Sequence, residues 1–163
     1  MSEKGNPERA SCPDFVELKR RYDKELTNGQ RAEIRRAATP DDLDLIPAYY
    51  RVLRGIKSDG RWRRIVFFLP YAQHSDNAES MGTKLGKSKV SEMRLFQMVR
   101  SEEPNDIIGL KRILQQVEPT VNWQRFGEAL FFWGKRAKRG IVEDYFMAGY
   151  KDEKLKKEAK DEQ

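Results

Sequence analysis

Residues 121–139 of the chain read VNWQRFGEALFFWGKRAKR, a stretch in which five aromatic side chains are followed by four cations. On a continuous helix of 3.6 residues per turn, one apolar stripe forms from Trp123, Phe126, Leu130, Trp133, Ala137 and Ile141. The opposite side gathers Arg125, Phe132, Arg136 and Arg139. The spacing therefore predicts a helix that buries both tryptophans and exposes Phe132, unless Gly134 breaks the helix.

The predicted cationic face of this helix carries one aromatic ring. Guanidinium and ammonium groups neutralise phosphates, and an exposed ring offers a platform on which bases stack. This combination suits single-stranded nucleic acid. A soluble amphipathic helix with a solvated basic side would show the same pattern, so the segment indicates a helix and leaves its partner open.

The charge of the chain is concentrated in its middle. The length of 163 residues suits one domain with a real core, and the formal net charge is +6. Residues 31–140 carry 21 Lys and Arg against 13 Asp and Glu, an excess of +8, which the two ends dilute. An excess within the folded part favours an anionic partner, and a well-solvated basic surface is the alternative.

Cysteine content and hydropathy bear on where the protein resides. Cys12 is the single cysteine, which excludes an internal disulfide and fits a reducing compartment. No apolar run approaches the roughly 20 residues needed to span a bilayer, and the amino terminus lacks a signal-peptide core. We therefore expect a cytoplasmic protein without a membrane partner.

Helical periodicity dominates the rest of the chain. The pattern predicts helices over residues 13–26, 30–38, 47–53, 61–69, 91–100 and 105–117, and it predicts that Asn28-Gly29 ends the first of them. Residues 61–69 have the composition of a strand, but no neighbouring run offers a pairing partner. The predicted fold class is all-α, with two small packed helix bundles and no sheet.

Four segments follow from this pattern. We predict a flexible amino terminus at residues 1–12, an N-terminal helical bundle at 13–83, a C-terminal helical bundle at 84–150, and a charged, disordered tail at 151–163. The division between the bundles follows the polar, Gly- and Ser-containing loop 73–83.

Residue types that support catalysis are scarce. His74 is the single histidine, so no His-Glu-x-x-His zinc motif and no Cys/His metal spacing can be built. Residues 82–87 (Gly-Thr-Lys-Leu-Gly-Lys) superficially resemble a phosphate-binding loop but lack its required spacing. We expect no enzymatic activity, no catalytic residue, no metal and no cofactor.

Basic residues instead occur in clusters on several predicted helices and loops. These clusters are Arg35-Arg36, Arg51, Arg61/Arg63/Arg64, Lys84/Lys87/Lys89, Lys111-Arg112 and Lys135-Arg136/Lys138-Arg139. A protein that reads duplex sequence usually draws its specificity from three or four side chains on one helix. Scattered cations suit contact with a phosphate backbone, and an ordinary surface charge is the alternative for each of them.

Short motifs occur in a fixed order through the middle of the chain. They lie at residues 28–29, 32–36, 40–43, 46–51, 85–87, 94–100, 110–114, 118–119, 123–136 and 143–146. In this order and spacing they resemble the small subunit of the type I-E CRISPR Cascade complex, the CasB family, over about residues 26–147.

The resemblance implies an all-helical, non-catalytic protein that binds single-stranded DNA or RNA without sequence preference and stabilises the opened target DNA, the R-loop. It implies as partners the crRNA and target DNA within Cascade, the backbone and large subunits, and a second copy packed head to tail. The nucleic-acid-binding residues that its motifs carry over are Arg36, Arg51, Lys87, Arg94, Lys111, Arg112, Lys135 and Arg136. The cluster at Arg35-Arg36 adds Arg35 to this set.

We expect Lys111, Arg112, Lys135 and Arg136 on the outward faces of two successive helices that share one apolar core.

Two other classes of function stay open: a free-standing helical DNA-binding regulator, which would prefer specific duplex sequences, and a protein-interaction subunit, which would have no nucleic-acid affinity.

Overall fold

The computed structural model of the chain describes residues 13–161, so the predicted flexible segment 1–12 lies outside the described residues. The α-helices are α1 (Phe15–Lys24), α2 (Asn28–Arg35), α3 (Pro47–Leu53), α4 (Gly60–Phe68), α5 (Met81–Gly86), α6 (Glu92–Arg100), α7 (Asn105–Val117), α8 (Trp123–Phe131) and α9 (Lys135–Asp161). Short 3-10 helices cover Pro40–Leu45 and Leu69–Tyr71. The all-α prediction is confirmed, with the addition of one parallel pair of two-residue strands, β1 (Gln73–His74) and β2 (Thr120–Val121).

The start of α2 differs from the sequence prediction. Thr27 Oγ1 accepts a hydrogen bond from the Gln30 N–H (3.2 Å), and Gln30 Oε1 accepts one from the Thr27 N–H (2.9 Å). This reciprocal pair is a capping box, which begins a helix at the residue after Thr27. Asn28-Gly29 therefore forms the first turn of α2, and the prediction that it ends α1 is wrong.

The predicted continuous helix over residues 121–139 is broken. α8 ends at Phe131 and α9 begins at Lys135, with Phe132 at φ −101° and ψ 40° between them. The Arg64 side chain stabilises this end, because its Nε donates to the Leu130 carbonyl (2.8 Å) and its terminal nitrogen to the Phe131 carbonyl (3.1 Å). These bonds satisfy carbonyl groups that a continuing helix would have paired internally.

The break changes part of the predicted burial. Trp123, Phe126 and Leu130 are buried as predicted, and Phe132 is 64 % exposed. Trp133, predicted as largely buried, is half-buried. It lies beyond the end of α8, and the apolar stripe of that helix does not continue to it.

α8 completes a core with the first helices of the chain. The Phe131 ring lies 5.6 Å from Phe15 and 5.2 Å from Trp62, measured between ring centroids. A Cβ atom on Gly127 would lie 2.3 Å from Phe15 Cγ, so α1 and α8 approach closely there. The buried apolar side chains form one cluster with members before and after residue 83. The division into bundles at 13–83 and 84–150 stays a prediction.

The glycines of segment 82–87 have a packing role. A Cβ atom on Gly82 would lie 2.4 Å from the Ile141 carbonyl oxygen, and one on Gly86 would lie 2.4 Å from that of Tyr145. One turn of α5 is therefore in direct backbone contact with one turn of α9. This contact explains both glycines without a bound phosphate.

His74 also has a structural position, in the segment predicted as a loop. Its Nδ1 accepts a hydrogen bond from the Trp123 N–H (3.0 Å), and its Nε2 lies 2.8 Å from Asp76 Oδ1. Together with the pairing of β1 and β2, these contacts hold the 73–83 segment to the start of α8.

The carboxyl-terminal helix is longer than expected. The prediction for 151–163 is a disordered tail, whereas α9 continues to Asp161 and every side chain of residues 151–161 is exposed. Lys, Glu and Ala favour helix even where nothing is buried. Residues 162 and 163 lie outside the described part.

Among the helices between residues 13 and 161, none combines the length and apolar character that crossing a membrane requires.

Candidate nucleic-acid interface

Two grooves lie on opposite sides of α6. Predicted cations of α6 and α7 line one of them, and Lys135 of α9 lines the other. The α6–α7 groove lies between the side of α6 that carries Arg94 and the side of α7 that carries Arg112. The α6–α9 groove lies on the other side of α6, where Phe96 and Arg100 face Lys135 at the start of α9. Arg112 and Lys135 therefore line different grooves, and they are not on successive helices as expected, because α8 lies between α7 and α9 in the chain.

The α6–α7 groove combines two cations with neutral polar side chains. Arg94 and Arg112 line it together with Gln97, Ser101 and Asn105. The Arg94 guanidinium donates to Gln116 Oε1, while Arg112 is exposed. Within residues 13–161, no carboxylate lines this groove. The groove therefore attracts an anion, because no carboxylate in its described lining competes for the two guanidinium groups.

Lys111, next to Arg112 on α7, is only half exposed. Its Nζ donates to the Ala37 carbonyl (3.2 Å) and lies 5.2 Å and 5.4 Å from the ring centroids of Phe67 and Tyr71. Burial lowers the pKa of Lys111, and the neighbouring Arg112 charge lowers it further. The prediction that Lys111 lies on an outward face is wrong in this respect, because its ammonium group helps to hold α7 against the end of α2.

Arg35 extends the basic surface on the other side of α7. It lines a groove with Tyr71 and Gln115, in which Glu118 is the carboxylate, and the Arg35 carbonyl accepts a hydrogen bond from the Tyr71 hydroxyl (3.3 Å). Gln115 and Arg112 are three residues apart on the exposed side of α7, so the two grooves adjoin. We call Arg35, Arg94, Lys111 and Arg112 the α7 surface.

The remaining predicted site residues lie on other elements. Arg36 follows α2 and is exposed, and Arg51 is exposed on α3, a helix that packs mainly against α1, α2 and the first 3-10 helix. Lys87 forms an ion pair with Glu79 (2.8 Å). Arg136 points away from Lys135, because it lines a fourth groove with Arg125, Glu79 and Asp144.

Several cations that look equivalent in the sequence already form hydrogen bonds or ion pairs within the fold. The Lys138 Nζ lies 2.8 Å from Asp106 Oδ2 and donates to the Ser101 carbonyl (2.9 Å). Arg64 caps the end of α8, and Arg63 pairs with Asp44 (2.8 Å). Arg100, Arg125 and Arg139 are not among the predicted nucleic-acid-binding residues, yet they line grooves beside them. Their sequence signal was their position within motifs, within a basic cluster or on the predicted cationic face of residues 121–139.

These observations define a class of protein: an all-helical chain whose cations line grooves between its helices. Residues 13–161 contain no cluster of three or more His, Cys, Asp or Glu that could hold a metal ion.

The comparisons with known proteins agree with this class. The sequence model of the CRISPR-associated protein Cse2 family matches residues 30–146. The CRISPR system Cascade subunit CasB of Escherichia coli strain K12 is 31% identical over 144 residues, which cover 78% of this chain and 90% of that protein. A chain in the crystal structure of E. coli Cascade bound to a PAM-containing double-stranded DNA target matches with a TM-score of 0.77 and 32% identity, over 83% of this chain and 97% of that chain. The chain belongs to the CRISPR-associated Cse2 family, and the predicted family membership is confirmed.

Proposed function

We propose that the chain is the non-catalytic small subunit of a type I-E Cascade complex, and that its α7 surface binds the backbone of single-stranded nucleic acid without reading bases. Family membership supports the first part, since the E. coli relative is a Cascade subunit. The proposal includes the partners that the sequence resemblance implies, namely crRNA, target DNA, the backbone and large subunits and a second copy, and a cytoplasmic location.

The α6–α7 groove is the observation that carries the binding proposal. Arg94 and Arg112 supply positive charge, while Gln97, Ser101 and Asn105 supply neutral hydrogen-bonding groups of the kinds that contact phosphate and sugar. Arg35 continues the charge beyond α7. An extended anion with regularly spaced charges, such as a nucleic-acid strand, fits this arrangement better than a single compact ion.

Backbone binding would suffice for the proposed role. Opening a DNA duplex against a guide RNA exchanges one set of base pairs for another of similar stability, so protein contacts to the backbone tip the balance. A subunit that supplies such contacts needs neither base recognition nor catalysis. The sequence opposite the guide RNA is then read by base pairing, without a contribution from this subunit.

The salt dependence of binding tests this proposal on the isolated protein. Three phosphates neutralised by the guanidinium groups of Arg35, Arg94 and Arg112 would make log affinity for a single-stranded oligonucleotide fall with log salt at a slope of roughly −2. Replacing Arg94 and Arg112 by Gln should shallow the slope to roughly −0.7 and weaken binding equally for every base sequence. Fluorescence anisotropy at several salt concentrations measures both quantities.

The control has the same charge change on a distant surface. Lys154→Gln with Lys157→Gln removes two exposed cations from the end of α9 and should leave the slope unchanged. An equal loss of affinity in both variants would contradict a defined binding site. An affinity of the unmodified protein that does not change with salt concentration would contradict binding through charge. Preference for one duplex sequence would favour the regulator instead, and no binding would favour the protein-interaction subunit.

Arg36, Arg51, Lys87, Lys135 and Arg136 stay predictions as nucleic-acid contacts. They lie on elements outside the α7 surface, and Lys87 already has an acidic partner.

A further inference from the structure

The α6–α9 groove differs in chemistry from the α6–α7 groove. Its floor is formed by the half-buried apolar side chains of Phe96, Val99 and Val142, and its volume is about 340 Å³. This size falls within the range of pockets that bind ligands, whose walls are also mostly apolar. The groove is therefore large enough to accept an apolar side chain of a partner.

Cations surround this apolar floor. Arg100, Lys135 and Arg139 stand on its rim against one carboxylate, Glu143. The fourth cation, Lys138, is already paired with Asp106. The first turn of α9 contains no acidic residue, so these charges add to the positive end of the helix dipole instead of balancing it. The rim thus has an uncompensated positive charge that an acidic partner would neutralise.

The geometry argues against a nucleic-acid strand in this groove. The Arg100 guanidinium lies over the Phe96 ring, 5.0 Å from its centroid, so that face of the ring is not available to stack on a base. Val99 and Val142 offer no hydrogen bond to a phosphate or a sugar. A peptide differs from nucleic acid in that it can present carboxylates and an aliphatic or aromatic side chain within one turn of helix.

We propose that the α6–α9 groove binds a short acidic segment of a protein partner, which places an apolar side chain on Phe96, Val99 and Val142 and pairs its carboxylates with Arg100, Lys135 and Arg139. The groove is then a second interaction surface, separate from the α7 surface across α6. This proposal assigns Lys135 to a protein contact in place of the nucleic-acid contact predicted from the sequence, and it does not depend on nucleic-acid binding by the α7 surface.

A titration with defined peptides tests the proposal on the full chain. The probe is a fluorescent amphipathic peptide with Glu on one helical face and Leu and Phe on the other, and the comparison peptide has Ser in place of Leu and Phe. The comparison peptide should bind roughly tenfold to a hundredfold more weakly, because it buries no apolar side chain. Lys135→Glu with Arg139→Glu should weaken binding of the probe by about tenfold, since two attractions become repulsions.

Matched controls separate the groove from general electrostatics and from nucleic acid. Lys154→Glu with Lys157→Glu makes the same change in net charge on the same helix and should leave affinity for the probe within about twofold, because exposed charges farther away than the Debye length are screened. The proposal is overturned if the probe does not bind, if both peptides bind equally, or if the control weakens binding as much. It is also overturned if Lys135→Glu with Arg139→Glu reduces binding of an oligothymidine strand and not of the peptide.

Discussion

Replacing Gly82 and Gly86 together by Ala is expected to destabilise the protein by up to about 4 kcal/mol, because overpacking a well-packed contact typically costs about 1–3 kcal/mol per site. Each new Cβ atom would lie 2.4 Å from a carbonyl oxygen of α9, that of Ile141 or that of Tyr145. A backbone carbonyl within a helix cannot rotate away as a flexible side chain can. The intrinsic helix preference of Ala over Gly, about 1 kcal/mol per site, acts in the opposite direction and is already subtracted in this figure.

Urea unfolding followed by circular dichroism measures this loss, and hydrogen exchange of α5 and α9 shows whether it is local to their contact. Gly140→Ala with Gly149→Ala is the matched control on α9, since a Cβ atom at either position meets open space. That variant should gain stability, by about 0.5–1 kcal/mol per site. A double variant at Gly82 and Gly86 that behaves like this control would contradict the backbone contact between α5 and α9.

Asp106→Asn is expected to cost about 3 kcal/mol, in the range found when one partner of a buried ion pair is removed. Asp106 is 1 % exposed, and its Oδ2 accepts from Lys138 Nζ and from Trp133 Nε1, both at 2.8 Å. Asn retains the shape and an acceptor for Trp133 but leaves the Lys138 ammonium without a counter-charge. Denaturant unfolding of the variant measures the loss.

A second substitution distinguishes lost charge pairing from general damage. Adding Lys138→Met to Asp106→Asn removes the unpaired charge, so the double variant should recover to within about 1–2 kcal/mol of the natural protein. Asp152→Asn, at an exposed position on α9, should stay within about 0.5 kcal/mol. Additive losses from the two substitutions would show that the pair does not join α7 to α9 as described.

The sequence predicts helices well where local signals determine them. The predicted range 105–117 coincides with α7, and the ambiguous run 61–69 forms α4 within a residue of the predicted bounds. In α4 the decisive residue is Asp59, whose Oδ1 accepts from the N–H groups of Arg61 (2.9 Å) and Trp62 (3.2 Å). A cap of this kind can be predicted from a few neighbouring residues.

The break after α8 could not be predicted from neighbouring residues. Its carbonyl groups are satisfied by Arg64, which lies more than sixty residues earlier in the chain. Helical periodicity in residues 121–139 continues across the break, so it predicts one helix. A contact between distant segments decided the outcome, and no local pattern reports such a contact.

The same limit applies to the candidate site. Sequence identifies which cations exist but not which are already occupied: Lys135 and Lys138 are three residues apart, yet only Lys138 meets the buried Asp106. Lys111 and Arg112 are adjacent, yet Lys111 turns toward Ala37 while Arg112 lines the α6–α7 groove. The grouping of Arg35, Arg94 and Arg112 around α7 depends on the tertiary packing of three helices.

The most direct test of the central claim uses Cascade reconstituted with the Arg94→Gln, Arg112→Gln subunit and a target DNA, with permanganate reactivity of thymines reporting the opened strands. The variant should be incorporated in the same amount as the natural subunit and the Lys154→Gln, Lys157→Gln control. Its opened DNA should close more readily as salt is raised, because two backbone contacts are missing. Unchanged stability of the opened DNA at every salt concentration would contradict nucleic-acid binding by the α7 surface, and complexes that lack the variant subunit would show that Arg94 and Arg112 contact protein instead.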